Sequence, residues 1–168
     1  MIFSTSRLNV RKLRKTDVEP FFRLESDPVV KRYTSPSGDW SYSAIEKDLN
    51  RLIKGYTTRS ELTVWAVEDG DQKFVGTVAL VGRGEEREIG YRILPDYWRQ
   101  GYGLEICEGL IRYAFDDLKI GKLVAISCSR NKASVSILDR LMYFVKEEYN
   151  EDFADMDRYY ELGNIKMD

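Results

Sequence analysis

The chain contains no histidine. Ser-His and Cys-His nucleophile pairs are thereby excluded, and a zinc site would lack its commonest nitrogen ligand, so catalysis has to run on carboxylates, hydroxyls or backbone groups. Cysteine is scarce as well, with only Cys107 and Cys128, which excludes a disulfide scaffold and points to a reducing interior. Cys107 falls on the apolar stripe of a predicted helix and Cys128 ends an apolar strand, so both read as packing residues rather than nucleophiles. No apolar run approaches membrane-spanning length. Arg7, Arg11, Lys12, Arg14 and Lys15 break up the opening segment, leaving no signal-peptide core of roughly 7–15 apolar residues. A strong excess of one charge is missing too: the net charge is −2 and the pI is near 5.4, which does not favour nucleic acid or an anionic membrane as partner. The expectation is a cytoplasmic protein that binds neither nucleic acid nor membrane and holds no metal.

What is present is ample core material. With 43% apolar and 32% charged residues over 168 positions, one compact domain spanning 1–168 can bury a substantial core. An alternating segment at 8–13 precedes Thr16 and Glu19, whose capping-box spacing predicts a first helix that Asp27-Pro28 ends. Ser43 and Glu46 mark a second helix with Ile45, Leu49, Leu52, Ile53 and Tyr56 on one face, and 35–38 reads as loop. The period then changes to that of strands at 62–68 and 73–81, joined across Asp69-Gly70-Asp71, with a third strand at 87–93 after Gly82-Arg83-Gly84. A long helix at 101–118 turns Leu104, Cys107, Leu110, Ile111, Ala114, Phe115 and Leu118 inward and is capped at Gly121. A strand at 122–128, a helix at 131–142 capped by Asn131, and strands at 143–149 and 158–167 close the chain. The order predicts an α/β, α+β-like mixed sheet with helices on both faces.

The chemistry concentrates where the third strand runs through a glycine loop into the long helix, at Glu88 to Glu105. A helix that starts from such a loop presents unpaired backbone N–H groups and a positive dipole end, which bind phosphate oxygens without a lysine. The loop fits neither the P-loop pattern nor the dinucleotide fingerprint, because no glycine stands at Ile106. Alone, Gly101-x-Gly103 is equally a tight turn into a helix.

Three separated stretches resemble one family. Trp98-Arg99-Gln100-Gly101-Tyr102-Gly103 resembles the R/Q-x-x-G-x-G/A loop of the GNAT superfamily of N-acetyltransferases, with Trp98 at its first position. Tyr97-Trp98 followed by Gln100-Gly101-Tyr102 resembles the Y-W-G-Q-G-Y-A wording of the branch that contains ribosomal-protein N-terminal (alanine/serine) acetyltransferases. Thr5-Ser6-Arg7-Leu8 resembles that branch's T-x-R-L opening, and Asn131-Lys132-Ala133-Ser134 its later Asn-x-x-Ser. The resemblance implies a central, mostly antiparallel sheet of about six to seven strands, splayed in the middle. It implies acetyl-CoA as cosubstrate, bound by Arg99, Gln100, Gly101, Tyr102, Gly103 and Leu104, by Asn131 and Ser134, and along a strand edge at Tyr91 and Ile93. The reaction implied is direct attack of a primary amine on the thioester in a ternary complex.

The catalytic inventory is thin. Glu88, at the entrance of the strand, is the first candidate for the base, where the resemblance implies a proton relay, while Glu85 and Glu86 sit in a charged turn and read as solvated. The family's tyrosine acid falls on Leu138, which leaves Tyr143, Ser136 or water to protonate a thiolate whose pKa is roughly 8.5. The usual Gly-Phe is altered to Met142-Tyr143 or Tyr143-Phe144. An α-amine, uncharged in roughly one molecule in six at neutral pH, suits this inventory better than a lysine side chain. Glu25, Asp27, Asp39 and Glu61 are candidates to attract such a cation, from a peptide N-terminus or a small molecule. Two other readings stay open: a noncatalytic acyl-CoA-binding module, and an interaction domain working through Tyr159 and Tyr160, a strand that also suits homodimer contacts.

Overall fold

The computed structural model describes residues 1–164 apart from 36, 59 and 83; Arg83 of the expected turn and positions 165–167 of the expected last strand lie outside them. A two-residue strand β1 (Phe3–Ser4) leads into β2 (Leu8–Lys12), followed by helices α1 (Val18–Ser26), α2 (Pro28–Thr34) and α3 (Tyr42–Gly55). A meander of β3 (Leu62–Asp69), β4 (Phe74–Val81) and β5 (Glu86–Ile93) enters α4 (Tyr102–Arg112). Then come β6 (Lys122–Cys128), α5 (Lys132–Leu141) and a hairpin of β7 (Tyr143–Asn150) and β8 (Asp155–Gly163). The sheet order is β1-β2-β3-β4-β5-β6-β8-β7, with every neighbouring pair antiparallel except β5 and β6. This is the mixed sheet that the pattern predicts, mostly antiparallel as the family resemblance implies. Among the described residues it has eight strands rather than six to seven, because β1 is too short for any alternation to signal it.

Strand alternation sends apolar side chains to both faces. On one face Phe21 and Leu24 of α1 and Leu49 and Leu52 of α3 pack over Ala66 and Phe74. On the other, Ile106, Cys107 and Leu110 of α4 and Leu138 of α5 pack against Val67, Val78 and Ile89. Each fully buried aliphatic contributes about 1.5–3 kcal/mol. No helix among the described residues is long and apolar enough to cross a membrane.

Several element ends differ from expectation for local reasons. The first helix is not entered through a Thr16–Glu19 box; the Asp17 carboxylate accepts the Arg14 N–H at 2.7 Å, and a 3₁₀ turn precedes α1. Asp27-Pro28 both ends α1 and starts α2, because the Asp27 side chain accepts the N–H groups of Val29 and Val30 and proline suits a first helical position. Ser41, not Ser43, caps α3 through the Ala44 N–H. Beyond α4 the chain widens into a π turn at Tyr113–Asp117, so Lys119 rather than Gly121 takes the left-handed conformation, with φ of 55°. Leu118 is accordingly exposed, while Ile106 is fully buried.

Candidate active site

The sheet opens at β5 and β6. These strands pair only at Glu86 with Lys122, Arg87 with Leu123 and Glu88 with Val124; beyond that β6 stays with β8 and the rest of β5 stays with β4. The Leu94 N–H bonds to Val75 on β4, and the Glu85 carbonyl accepts from Lys122 on β6. Alternation between these two points turns the backbone N–H groups of Tyr91 and Ile93 toward the open side. The Ile93 carbonyl also faces that way and accepts the Trp98 indole N–H at 2.7 Å. Trp98, which stands where the family pattern has Arg or Gln, thus ties the glycine loop to the end of β5.

Two cavities meet at this opening. One, of about 600 Å³, is lined by Tyr91, Ile93, Arg99, Gly101, Tyr102, Gly103, Leu104, Asn131 and Ser134. These are the residues proposed from the sequence for the cosubstrate, with the exception of Gln100, whose side chain turns back to the Asp96 carbonyl. Gly101 caps α4 with φ of 79°, a conformation that L side chains rarely adopt. The Glu105 N–H bonds back to the Gly101 carbonyl, so the N–H groups of Tyr102, Gly103 and Leu104 have no acceptor inside the helix. Across the cavity Asn131 caps α5, accepting the Ser134 N–H at 3.2 Å, and the Tyr91 hydroxyl donates to Ser134 Oγ at 3.4 Å. Burial raises the Tyr91 pKa, so its hydroxyl stays protonated.

The second cavity, of about 560 Å³, lies toward α1, α2 and α3 and extends through the opening to β6. Among the described residues, its carboxylates are Glu25, Asp48, Glu88 and Asp157, against one basic side chain, Arg92. Glu25 pairs with Arg92 at 2.5 Å, Asp48 with Arg51, and Asp157 accepts from Asn150. Glu88 is half-buried and, among the described residues, has no hydrogen-bond or ion-pair partner; burial raises its pKa. A carboxylate with that environment and an open wall is a competent proton acceptor. Glu85 and Glu86 are exposed, and Glu86 is paired with Lys122.

The expected proton donors fare differently. Leu138 is buried and lines the second cavity. Tyr143 lies outside both cavities on β7, 70% exposed, because α5 ends at Leu141 and the chain is already back in the sheet. Its hydroxyl therefore stands apart from the place where an acid would act. Ser136 is also exposed and lines neither cavity. Asp27 caps α2, Asp39 accepts the Ser41 N–H ahead of α3, and Glu61 lines neither cavity. Sequence reading missed Tyr33, which lines both cavities; the Asp27-Pro28 start of α2 was the one signal for it. Asp48 and Asp157 carried none. Cys107 and Cys128 are buried free thiols, and burial pushes Cys107 up to about 12.

Comparison with known proteins fits this geometry. The family described as Acetyltransferase (GNAT) domain matches residues 7–142. The chain therefore belongs to the GNAT acetyltransferases and is an acetyl-CoA-dependent acyltransferase. It is 29% identical to the uncharacterized N-acetyltransferase YoaA of Bacillus subtilis over 87% of this chain and 84% of that protein. The ribosomal-protein-S5-alanine acetyltransferase of Vibrio fischeri shares the fold with a TM-score of 0.82 at 15% identity, over 99% of this chain and 98% of that one. A spermidine N-acetyltransferase of Vibrio cholerae, solved with CoA and spermine, shares it with a TM-score of 0.82 at 17% identity, over 96% and 98%. The residues present fit the cosubstrate: the unpaired amides at the start of α4 suit a diphosphate, and the open β5 edge suits an extended amide-bearing arm.

Proposed function

We propose that the chain transfers an acetyl group from acetyl-CoA to a primary amine by direct attack in a ternary complex, with the thioester held where the two cavities meet. The observation that carries this reading is that Tyr91, Asn131 and Ser134 line both cavities, so a donor in one and an amine in the other face each other across β5. The amides of Tyr102, Gly103 and Leu104 take the diphosphate oxygens. The N–H groups of Tyr91 and Ile93 support the oxyanion that forms when the amine nitrogen adds to the acetyl carbon. Glu88 accepts the proton that the amine sheds, directly or through water. Leu138 offers no proton, so the departing thiolate takes one from water or from the hydroxyl of Tyr33, which lines both cavities. The excess of carboxylates over Arg92 supports a cationic acceptor, a small-molecule amine or a peptide N-terminus. The reduced cysteines support a cytoplasmic setting.

Thermal denaturation with excess acetyl-CoA tests the donor half. Ligand at about 100 times its Kd adds about 2.7 kcal/mol, a rise of roughly 5–10 °C. Thiol release with a panel of peptides, polyamines and aminoglycosides then tests the transfer. No melting shift at millimolar acetyl-CoA would overturn the assignment of the first cavity. A shift without thiol release from any amine in the panel would favour a noncatalytic acyl-CoA-binding module.

A further inference from the structure

Inside the loop at 99–103, two residues hold left-handed conformations, Arg99 at φ 59° and Gly101 at φ 79°. Arg99 is not a glycine, and Gln100 between them has its side chain turned away to Asp96. Nothing in the loop's own sequence orients the intervening Gln100 carbonyl. The N-terminal segment does so from outside: Arg7 Nη1 donates to that carbonyl at 2.9 Å. Arg7 is itself fixed three ways. Its Nε donates to Glu105 Oε2 at 2.7 Å, its backbone N–H donates to Glu105 Oε1 at 2.7 Å, and its guanidinium lies 4.5 Å from the centre of the Tyr102 ring. Thr5 adds its hydroxyl to the same Glu105 oxygen at 2.6 Å.

On the reading that acetyl-CoA occupies the first cavity, we infer that Arg7 is a positioning residue for diphosphate recognition, holding the anion-binding loop in shape from behind. It lines neither cavity, so it acts through the loop. Two physical effects combine. The guanidinium fork ties the Gln100 carbonyl to the first turn of α4, so the amides of Tyr102, Gly103 and Leu104 converge without reorganisation. The same fork neutralises Glu105, an acid in the first turn of α4 that would otherwise repel the diphosphate these amides bind. Arg7 thereby sets how strongly the protein distinguishes acetyl-CoA from the same thioester without a diphosphate.

Calorimetric titration with acetyl-CoA and with acetyl-pantetheine separates this role from a general structural one. In Arg7→Gln the Kd for acetyl-CoA rises about tenfold while that for acetyl-pantetheine moves less than about twofold, so their ratio falls about tenfold. Arg7→Lys keeps the charge but lacks the fork that reaches Glu105 and Gln100 together, and its ratio falls at least about threefold. Arg7 is about half-exposed (47%), so both variants are expected to fold, and either alone carries the test. Equal weakening of both ligands, or an unaltered ratio, would overturn the role of Arg7. A ratio lost in Arg7→Gln but kept in Arg7→Lys would leave only its charge and overturn positioning. A wild-type protein that binds both ligands equally well would instead overturn the diphosphate site itself.

Discussion

Replacing Glu88 by Gln keeps the shape of the side chain and removes its ability to take a proton. A positioned general base contributes about 10²–10⁴-fold. Glu88 is only half-buried, where water can substitute for part of its work, so the lower end applies. The expected loss is about 100-fold in kcat/KM at pH 7, close to 2.7 kcal/mol of transition-state stabilisation. The pH profile should change shape as well. Burial raises the Glu88 pKa, so the wild-type rate rises with pH through a limb set above the ordinary value of about 4.3, and the variant lacks that limb.

The stability effect has the opposite sign. A carboxyl whose folded pKa lies above its unfolded value destabilises the native state once it ionises. That penalty is absent below the unfolded pKa of about 4.3, grows from there through the raised folded value, and is constant beyond it. The neutral amide of the Glu88→Gln variant removes the penalty. Because solvent still reaches this side chain, the gain is under about 1 kcal/mol, a Tm rise of about 1–3 °C at pH 7 that vanishes near pH 3.5. Stopped assays of thiol release across pH 6–9, paired with calorimetric melting at the two pH values, read both effects. Unchanged turnover over that range would refute the base assignment, and a lower Tm at pH 7 would refute the reading of Glu88 as an unpartnered, desolvated acid.

Trp98→Phe deletes the donor to the Ile93 carbonyl and should weaken acetyl-CoA about 3–10-fold by titration, the worth of one neutral hydrogen bond; unaltered affinity would detach the loop from β5. Asp17→Asn breaks a buried network in which Arg11 holds Asp17 at 2.8 Å and Glu68 at 2.6 Å. It should cost about 3 kcal/mol, or roughly 6–12 °C in Tm, and a loss below about 1 kcal/mol would mean that Glu68 alone satisfies Arg11. Cys107, with its thiol pushed up to about 12, and buried Cys128 should both resist a thiol-specific disulfide reagent at pH 8 until denaturant is added; rapid labelling of the native protein would contradict their burial.

Some of this site is written locally and was therefore legible before folding is considered. The Gly101 turn and the free amides after it follow from a few consecutive residues, as does the Asn131 cap, whose side chain reaches a backbone N–H three residues on. The strand period of β3, β4 and β5 and the apolar stripes of α3 and α4 are equally local. Choices between neighbouring caps were less readable, since Ser41 and Ser43, or Lys119 and Gly121, differ only in which one the packed helix end reaches.

What the tertiary structure alone decided is how distant segments converge. The opening exists because β5 and β6 part after three paired positions, β5 running on beside β4 and β6 beside β8, an arrangement of strands far apart in sequence. That parting brings Glu25, Asp48 and Asp157, from α1, α3 and β8, to one cavity, and carries Tyr143 away from it. Likewise Thr5 and Arg7 reach Glu105 across some hundred residues, contacts that no periodicity within either segment encodes. Local hydrogen bonding and side-chain period determine elements and their caps from sequence; the acceptor cavity and the clamp behind the loop depend on sheet order and helix packing, which only the folded chain supplies.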